Sequence, residues 1–313
     1  MNFTGCPTYF IQIETPPYCA FECPLPIYTK KEYDAIFYLE IVASIVCILL
    51  VFFVLPVYLF SNKLRKVSNT LLIAIFITVF LSVLRPLFTL CMYSTDWQKL
   101  TCSNDYTSND QSDPKCLFSG IWDYYFNWVA VLLWLCICLS ILQKLFLKGI
   151  FTSKYFYIIY ITFAILVPIV GVIVAVRGDA FVGVPALNSC YVKSGKYSHG
   201  LNLIPLAIVA ILGLSSLFIL IGKLVQTEGF LAVKTLLTQQ IRLLSYIFVF
   251  IIPVTYSLIF GLHTYLHEEQ IKDSVTKWAF CLFTINDPDI CHQRAQSTRL
   301  WCYLLPNVKQ STC

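Results

Sequence analysis

The stretch "GIWDYYFNWVAVLLWLCICLSIL", Gly120–Leu142, carries one charge, Asp123, in 23 residues. As a helix rising 1.5 Å per residue it is about 34 Å long, enough to cross a hydrocarbon core of about 30 Å. Five further blocks read the same way: Ile36–Phe60, Thr70–Met92, Tyr155–Val176, Leu201–Val225 and Leu243–Leu266. Prolines 56, 86, 168, 205 and 253 fall inside them. Spanning helices accept proline when neighbouring helices satisfy the freed backbone groups.

The whole chain agrees with its blocks. Of 313 residues 58% are hydrophobic and only 12% charged, whereas soluble domains carry about 25% charged residues. A larger soluble core does not remove the need for a charged skin. The expected fold is therefore all-α, a polytopic transmembrane bundle with six spans in the sequence as it stands. The organisation expected is a short cysteine-containing tail (1–35), the bundle (36–266) and a loop or tail (267–313). The apolar piece around Trp278–Ile285 is too short to cross, and the closing "HQRAQSTRLWCYLLPNVKQSTC" is too polar. The start lacks the basic and apolar regions of a cleavable signal, so the first span is expected to direct insertion.

Loops 61–69, 143–154 and 226–242, with Lys223, hold nine Lys/Arg, against seven on the opposite side before the C-terminal tail. That leans the first set towards the cytoplasm. Cysteine speaks more clearly. Cys47, Cys91, Cys136 and Cys138 lie in spans, and the other ten all fall on the side away from those basic loops. Disulfides persist outside the cytosol, so the N-terminus is expected outside. The acceptor sequence Asn2-Phe3-Thr4, which makes Asn2 a candidate glycosylation site, lies on that side.

Glu40, Arg85 and Asp123 are ionisable residues in the outer halves of the first three spans. An unpaired charge there costs several kcal/mol, so they are expected to face inward, with Arg85 paired to Asp123. Two readings stand side by side. One is the polar floor of a ligand cavity ringed by Trp122, Tyr124, Tyr125, Asn127 and Trp128. The other is an ion pair locking three helices beneath an interfacial aromatic belt. Tyr124 and Trp128, four apart, share a helix face that Tyr125 does not.

Other patterns read as structure. His263 and His267 have a spacing that could hold zinc, but no third ligand is evident, and a solvated helix end is the reading adopted. Cys136 and Cys138 read as small apolar packing. No phosphate loop or nucleophile motif appears, so neither an enzyme nor a cofactor is expected. A net charge of +5 spread over short loops gives no basis for nucleic-acid binding.

Three stretches in order resemble the Frizzled/Smoothened class of seven-helix receptors. "CLFSGIWDYYFNWVAVLLWLCICLSIL" has Cys116 at its outer end, aromatics eight to ten residues in and Trp134 eighteen in. "RGDAFVGVPALNSCYVKSGKYSHGLNLIPLAI" is similar to the family's second outer loop, and "IRLLSYIFVFIIPVT" to its sixth span, with Arg242 eleven residues before Pro253. The resemblance covers residues 19–291. It departs in lacking the family's large cysteine-rich head, the seventh span and the Lys-Thr-x-x-x-Trp motif that follows it.

The resemblance implies a disulfide tethering Cys116 to Cys190. It also implies a role for Arg242 as the basic half of a switch that pairs with an aromatic of the seventh helix, a cation–π contact of roughly 0.5–2 kcal/mol. That partner is not encoded here, so the reading placed slightly ahead has Arg242 snorkelling to lipid phosphates. The implied protein is a G protein-coupled-class receptor of the plasma membrane. It would sense a small lipophilic or sterol-like ligand at the outer mouth. Fifth- and sixth-helix movement would signal to a G protein or adaptor at the basic inner loops. A signalling-incompetent decoy or oligomer partner of full-length receptors is the alternative. A small transporter has less support, since no internal repeat is visible.

Overall fold

The computed structural model describes residues 10–14, 17–21, 23, 30–60, 70–93, 96, 98–104, 107–146, 154–184, 189–193, 195–216, 218–219, 222, 252, 254–259, 261–263 and 265–285. Among them, five helices are long and apolar enough to cross a membrane. These are α1 (Lys30–Phe60), α2 (Thr70–Tyr93), α4 (Pro114–Phe146), α5 (Lys154–Arg177) and α6 (Lys196–Ser216). A one-turn helix, α3 (Gln98–Thr101), precedes α4, and a shorter apolar helix, α7 (Val254–His263), falls within the sixth expected span. The helical bundle expected from hydropathy is the fold observed.

The sequence places the helix ends. Asp113 caps α4: its Oδ1 accepts the Lys115 N–H at 2.8 Å, with Pro114 at the first helical position. At the far end of α5 the chain turns through Asp179 at φ 46°, where the Ala180 N–H reaches the Ala175 carbonyl at 3.0 Å. That is a Schellman closure with Asp in the place glycine usually takes.

The hub is α4. Of its most apolar 18 residues 56% are buried, against 17% in α1. Leu132, Leu133, Trp134 and Ile137 of α4 form one core with Leu71, Leu72 and Ile75 of α2, Tyr157 and Ala164 of α5, and Val209 of α6.

Two-stranded hairpins gather at the cysteine-bearing end. They are β1 (Phe10–Glu14) with β2 (Pro17–Phe21), β3 (Cys102–Asn104) with β4 (Thr107–Ser108), and β5 (Phe181–Val184) with β6 (Ser189–Val192), each antiparallel. Buried Asn109 joins the second and third. Its amide donates to the Lys99 and Leu100 carbonyls, and its own carbonyl accepts the Gly183 N–H at 2.7 Å. Gly183 is needed for that approach, because a Cβ there would lie 2.2 Å from the Thr101 carbonyl oxygen. Gly183→Ala is expected to cost about 1–3 kcal/mol through overpacking. A drop in the thermal midpoint of the purified protein reads it, and an unchanged midpoint would mean the hairpin rides free of α3.

The piece around Trp278–Ile285, expected in a loop or tail, belongs instead to an eighth helix, α8 (Glu268–Ile285). Its sequence includes Glu268, Glu269, Lys272, Asp273 and Lys277, so it does not read as a span. It is tied down at several points: Trp278 is 2% exposed, Cys281 is disulfide-bonded, and Lys277 pairs with Asp273 at 2.6 Å.

Candidate functional site at the disulfide end

Arg85 is the centre of the site. Its position on α2 is one residue before Pro86, and its side chain is only 8% exposed. One guanidinium nitrogen pairs with Glu40 of α1, and Nε meets Asp123 Oδ1 of α4 at 2.8 Å. The Ser189 side chain of β6 lies beside the Asp123 carboxylate. One cation thus joins three spans, and one of its carboxylates reaches the hairpin above them. A fork of five donors in fixed geometry suits Arg, and not Lys, to bridging two carboxylates.

The hairpin is fixed to α4 by the disulfide Cys116–Cys190, both halves fully buried. A second disulfide, Cys23–Cys102, ties the N-terminal segment to the start of β3. Next to Cys190, the Tyr191 phenol is pushed above its ordinary pKa by burial first and by the Asp123 carboxylate second. At the entry to α4, two hydrogen bonds from Ser112 hold the Asp110 carboxyl below its ordinary range.

Aromatic residues of α4 complete the backbone of neighbouring helices. Pro205 has no N–H to give the Leu201 carbonyl four residues earlier, and the Tyr124 hydroxyl donates to that carbonyl at 3.3 Å. Beside Pro86, the Trp122 indole N–H donates to the Leu81 carbonyl at 2.9 Å. For Pro205 the freed carbonyl is thus met by a donor from α4, whereas the carbonyl that Pro86 frees is that of Ser82, one residue beyond the one Trp122 reaches. The start of α6 winds wider, with a π turn over His199–Leu203. There the Asn202 amide oxygen accepts the Trp128 indole N–H at 3.2 Å.

Of the residues expected to form one cavity, those on α4 are divided between different faces of that helix. Asp123 and Asn127 turn to α2, where Ser82 donates to Asn127 at 3.4 Å. Tyr124 and Trp128 turn to α5 and α6, with ring centroids 6.4 Å apart. Residues 123 and 124 are one position apart, about 100° around the helix, so both cannot line the same wall. Trp122 instead joins a row of rings with Phe118 and Phe126, and Phe88 of α2 meets Phe118. Arg242, Pro253 and Asn2 lie outside the described residues.

Ser189, Asn202 and the second carboxylate on Arg85 had no separate signal in the sequence. Each is defined by a contact between residues 45 to 74 positions apart. The only cue was Glu40, a lone acid in an apolar run. His263 and His267 pack their rings at 4.6 Å, and His267 meets Gln270 at 3.0 Å. Among the described residues no group of three or more His, Cys, Asp or Glu is placed to hold a metal ion.

No protein-family profile matches the chain. Curated proteins of Dictyostelium discoideum do. "Frizzled and smoothened-like protein A" is 26% identical over 87% of this chain and 46% of its own length. "Frizzled/smoothened-like sans CRD protein E" is 24% identical over 87% of this chain and 62% of its own length. "Frizzled and smoothened-like protein J" is 23% identical over 93% and 48%. The chain spans about half the length of the curated relatives it matches. With five described helices able to cross a bilayer and this likeness along most of its length, the chain is a multi-pass membrane protein related to the Frizzled and smoothened-like proteins.

Proposed function

We propose that the chain is the membrane part of a Frizzled/smoothened-like receptor at the plasma membrane, with its disulfide end outside the cell. The names of its relatives support the class. One feature carries the mechanism: Ser189 of the outer hairpin sits beside Asp123, a member of the ion network holding α1, α2 and α4. A ligand that moves the hairpin acts on the network directly. Signalling then consists of a change in packing of the fifth and sixth helices, read by a G protein or adaptor at the basic inner loops. A ligand drives that change only through unequal affinity for the two packings.

Ser189→Ala tests this while leaving both ion pairs in place. A hydroxyl beside a buried carboxylate favours its charge, by at most the roughly 1.5–3 kcal/mol of a full hydrogen bond to a charged group. If this contact belongs to the resting packing, its loss should raise basal transducer recruitment at least fivefold at equal surface abundance. Equal basal output at equal abundance would sink the mechanism. A chain that reaches the surface, recruits nothing and depresses signalling by co-expressed full-length receptors would favour the decoy reading.

A further inference from the structure

Away from the ion network, on the other face of α4, a groove of about 530 Å³ runs between α4, α5 and α6. That size falls in the range of about 300–1,000 Å³ typical of ligand pockets. Its walls include Tyr124, Trp128 and Leu135 of α4, Val170 and Gly171 of α5, and Ile208 of α6. Val170 is 62% and Ile208 53% exposed, and both sit in spanning helices, so the groove opens to the bilayer. Gly171 lets the Tyr124 ring close the upper end of the groove: a Cβ there would lie 2.3 Å from the Tyr124 hydroxyl.

Length and chemistry select the occupant. Tyr124 to Leu135 is eleven residues of helix, about 16 Å. Half of a hydrocarbon core of about 30 Å is roughly 15 Å, so the groove is as deep as one leaflet. The two polar side-chain groups at its upper end are already engaged, Tyr124 with the Leu201 carbonyl and Trp128 with Asn202. The unpartnered Asn202 amide nitrogen lies behind Trp128 and outside the groove's lining, so the walls themselves are apolar and suit a hydrocarbon tail, which needs no polar partner. Tails gain no hydrophobic free energy on leaving lipid for protein. What the groove offers is dispersion contact on three sides in place of one.

We propose that this groove holds one acyl chain of a phospholipid from the leaflet at the disulfide end, its headgroup remaining above Tyr124. The chain end then lies near Phe163 of α5 and Leu212 of α6, which line the deep part of the groove. Such a lipid touches three spans at once and wedges α6 against α4. This site stands apart from the ion network and holds whether or not the receptor reading does.

The test uses the full chain in nanodiscs of phosphatidylcholine doped with a phosphatidylcholine carrying a diazirine at the end of one acyl chain. After irradiation, labelled peptides are mapped by mass spectrometry. Labelling of 163–167 and 208–212 should exceed that of 45–50 on α1 at least fivefold, although Val46, Leu49 and Leu50 are comparably exposed. Val170→Trp should remove the excess and leave α1 labelling unchanged. Ile208→Trp serves if that variant does not fold. Equal labelling of groove and α1, or an excess that survives the tryptophan, overturns the proposal. So does displacement of the label by a sterol at equal mole fraction, which would make the occupant a ring system.

Discussion

Arg85→Ala should lower the thermal midpoint of the purified protein by roughly 10 °C and cut its surface abundance, the largest single-residue effect expected in this chain. The alanine leaves Glu40 and Asp123 without the cation between them, with Asp123 only 13% exposed. Removing one partner of a buried pair costs about 3–5 kcal/mol, because the remaining charges lose their counter-ion in a low-dielectric setting. The matched control neutralises everything: Arg85→Met with Glu40→Gln and Asp123→Asn. A buried network replaced by neutral groups of similar shape is often as stable as the original, so the triple variant should recover most of the loss. A single variant that melts like the wild type would show that the carboxylates do not depend on Arg85.

The second large effect is the loss of Cys116–Cys190. The cysteines are 74 positions apart, and in the chain-entropy account closing such a loop contributes about 4 kcal/mol. Cys23–Cys102 closes 79 positions, so entropy alone ranks the two pairs together. Burial separates them. Cys116 and Cys190 are fully buried beside Phe181 and Val192, whereas Cys23 and Cys102 are partly exposed. Opening the buried pair also loosens the hairpin that sits against Asp123. Comparing the double serine variant of each pair in denaturant melts checks this. A smaller loss from Cys116→Ser/Cys190→Ser would show that the hairpin holds its place without the link.

The outer half of the protein shows where reading from sequence works and where it stops. A cysteine at the head of the third span, and another in a loop of familiar pattern, led through family resemblance to the pair the structure contains. Arg85 and Asp123 were read as a pair from cost alone, since charges in apolar helices need partners. Glu40 was legible as a charge but not as Arg85's second partner. The helical offset of Tyr124 from Asp123 was legible too, yet the residues around them were gathered into one cavity. Each face of α4 belongs to a different neighbour, and periodicity does not name the neighbours. The helix at Glu268–Ile285 was missed because its charges gather in the first ten residues and only its last eight read as an apolar run, and its order is marked by a buried tryptophan and a disulfide.

What the sequence determined by itself is the five described spans and the character of the fold. In a bilayer every backbone polar group must be satisfied within the protein, so an apolar run of sufficient length has to be a helix wherever its neighbours lie. What only the tertiary structure decided is the company each side chain keeps. Arg85 bridges two helices, an aromatic hydroxyl of α4 completes the backbone ahead of Pro205, and three apolar faces leave a leaflet-deep groove between them. Lipid is as apolar as leucine, so hydropathy cannot tell a wall that faces the bilayer from one that faces protein; packing and hydrogen bonding make that choice.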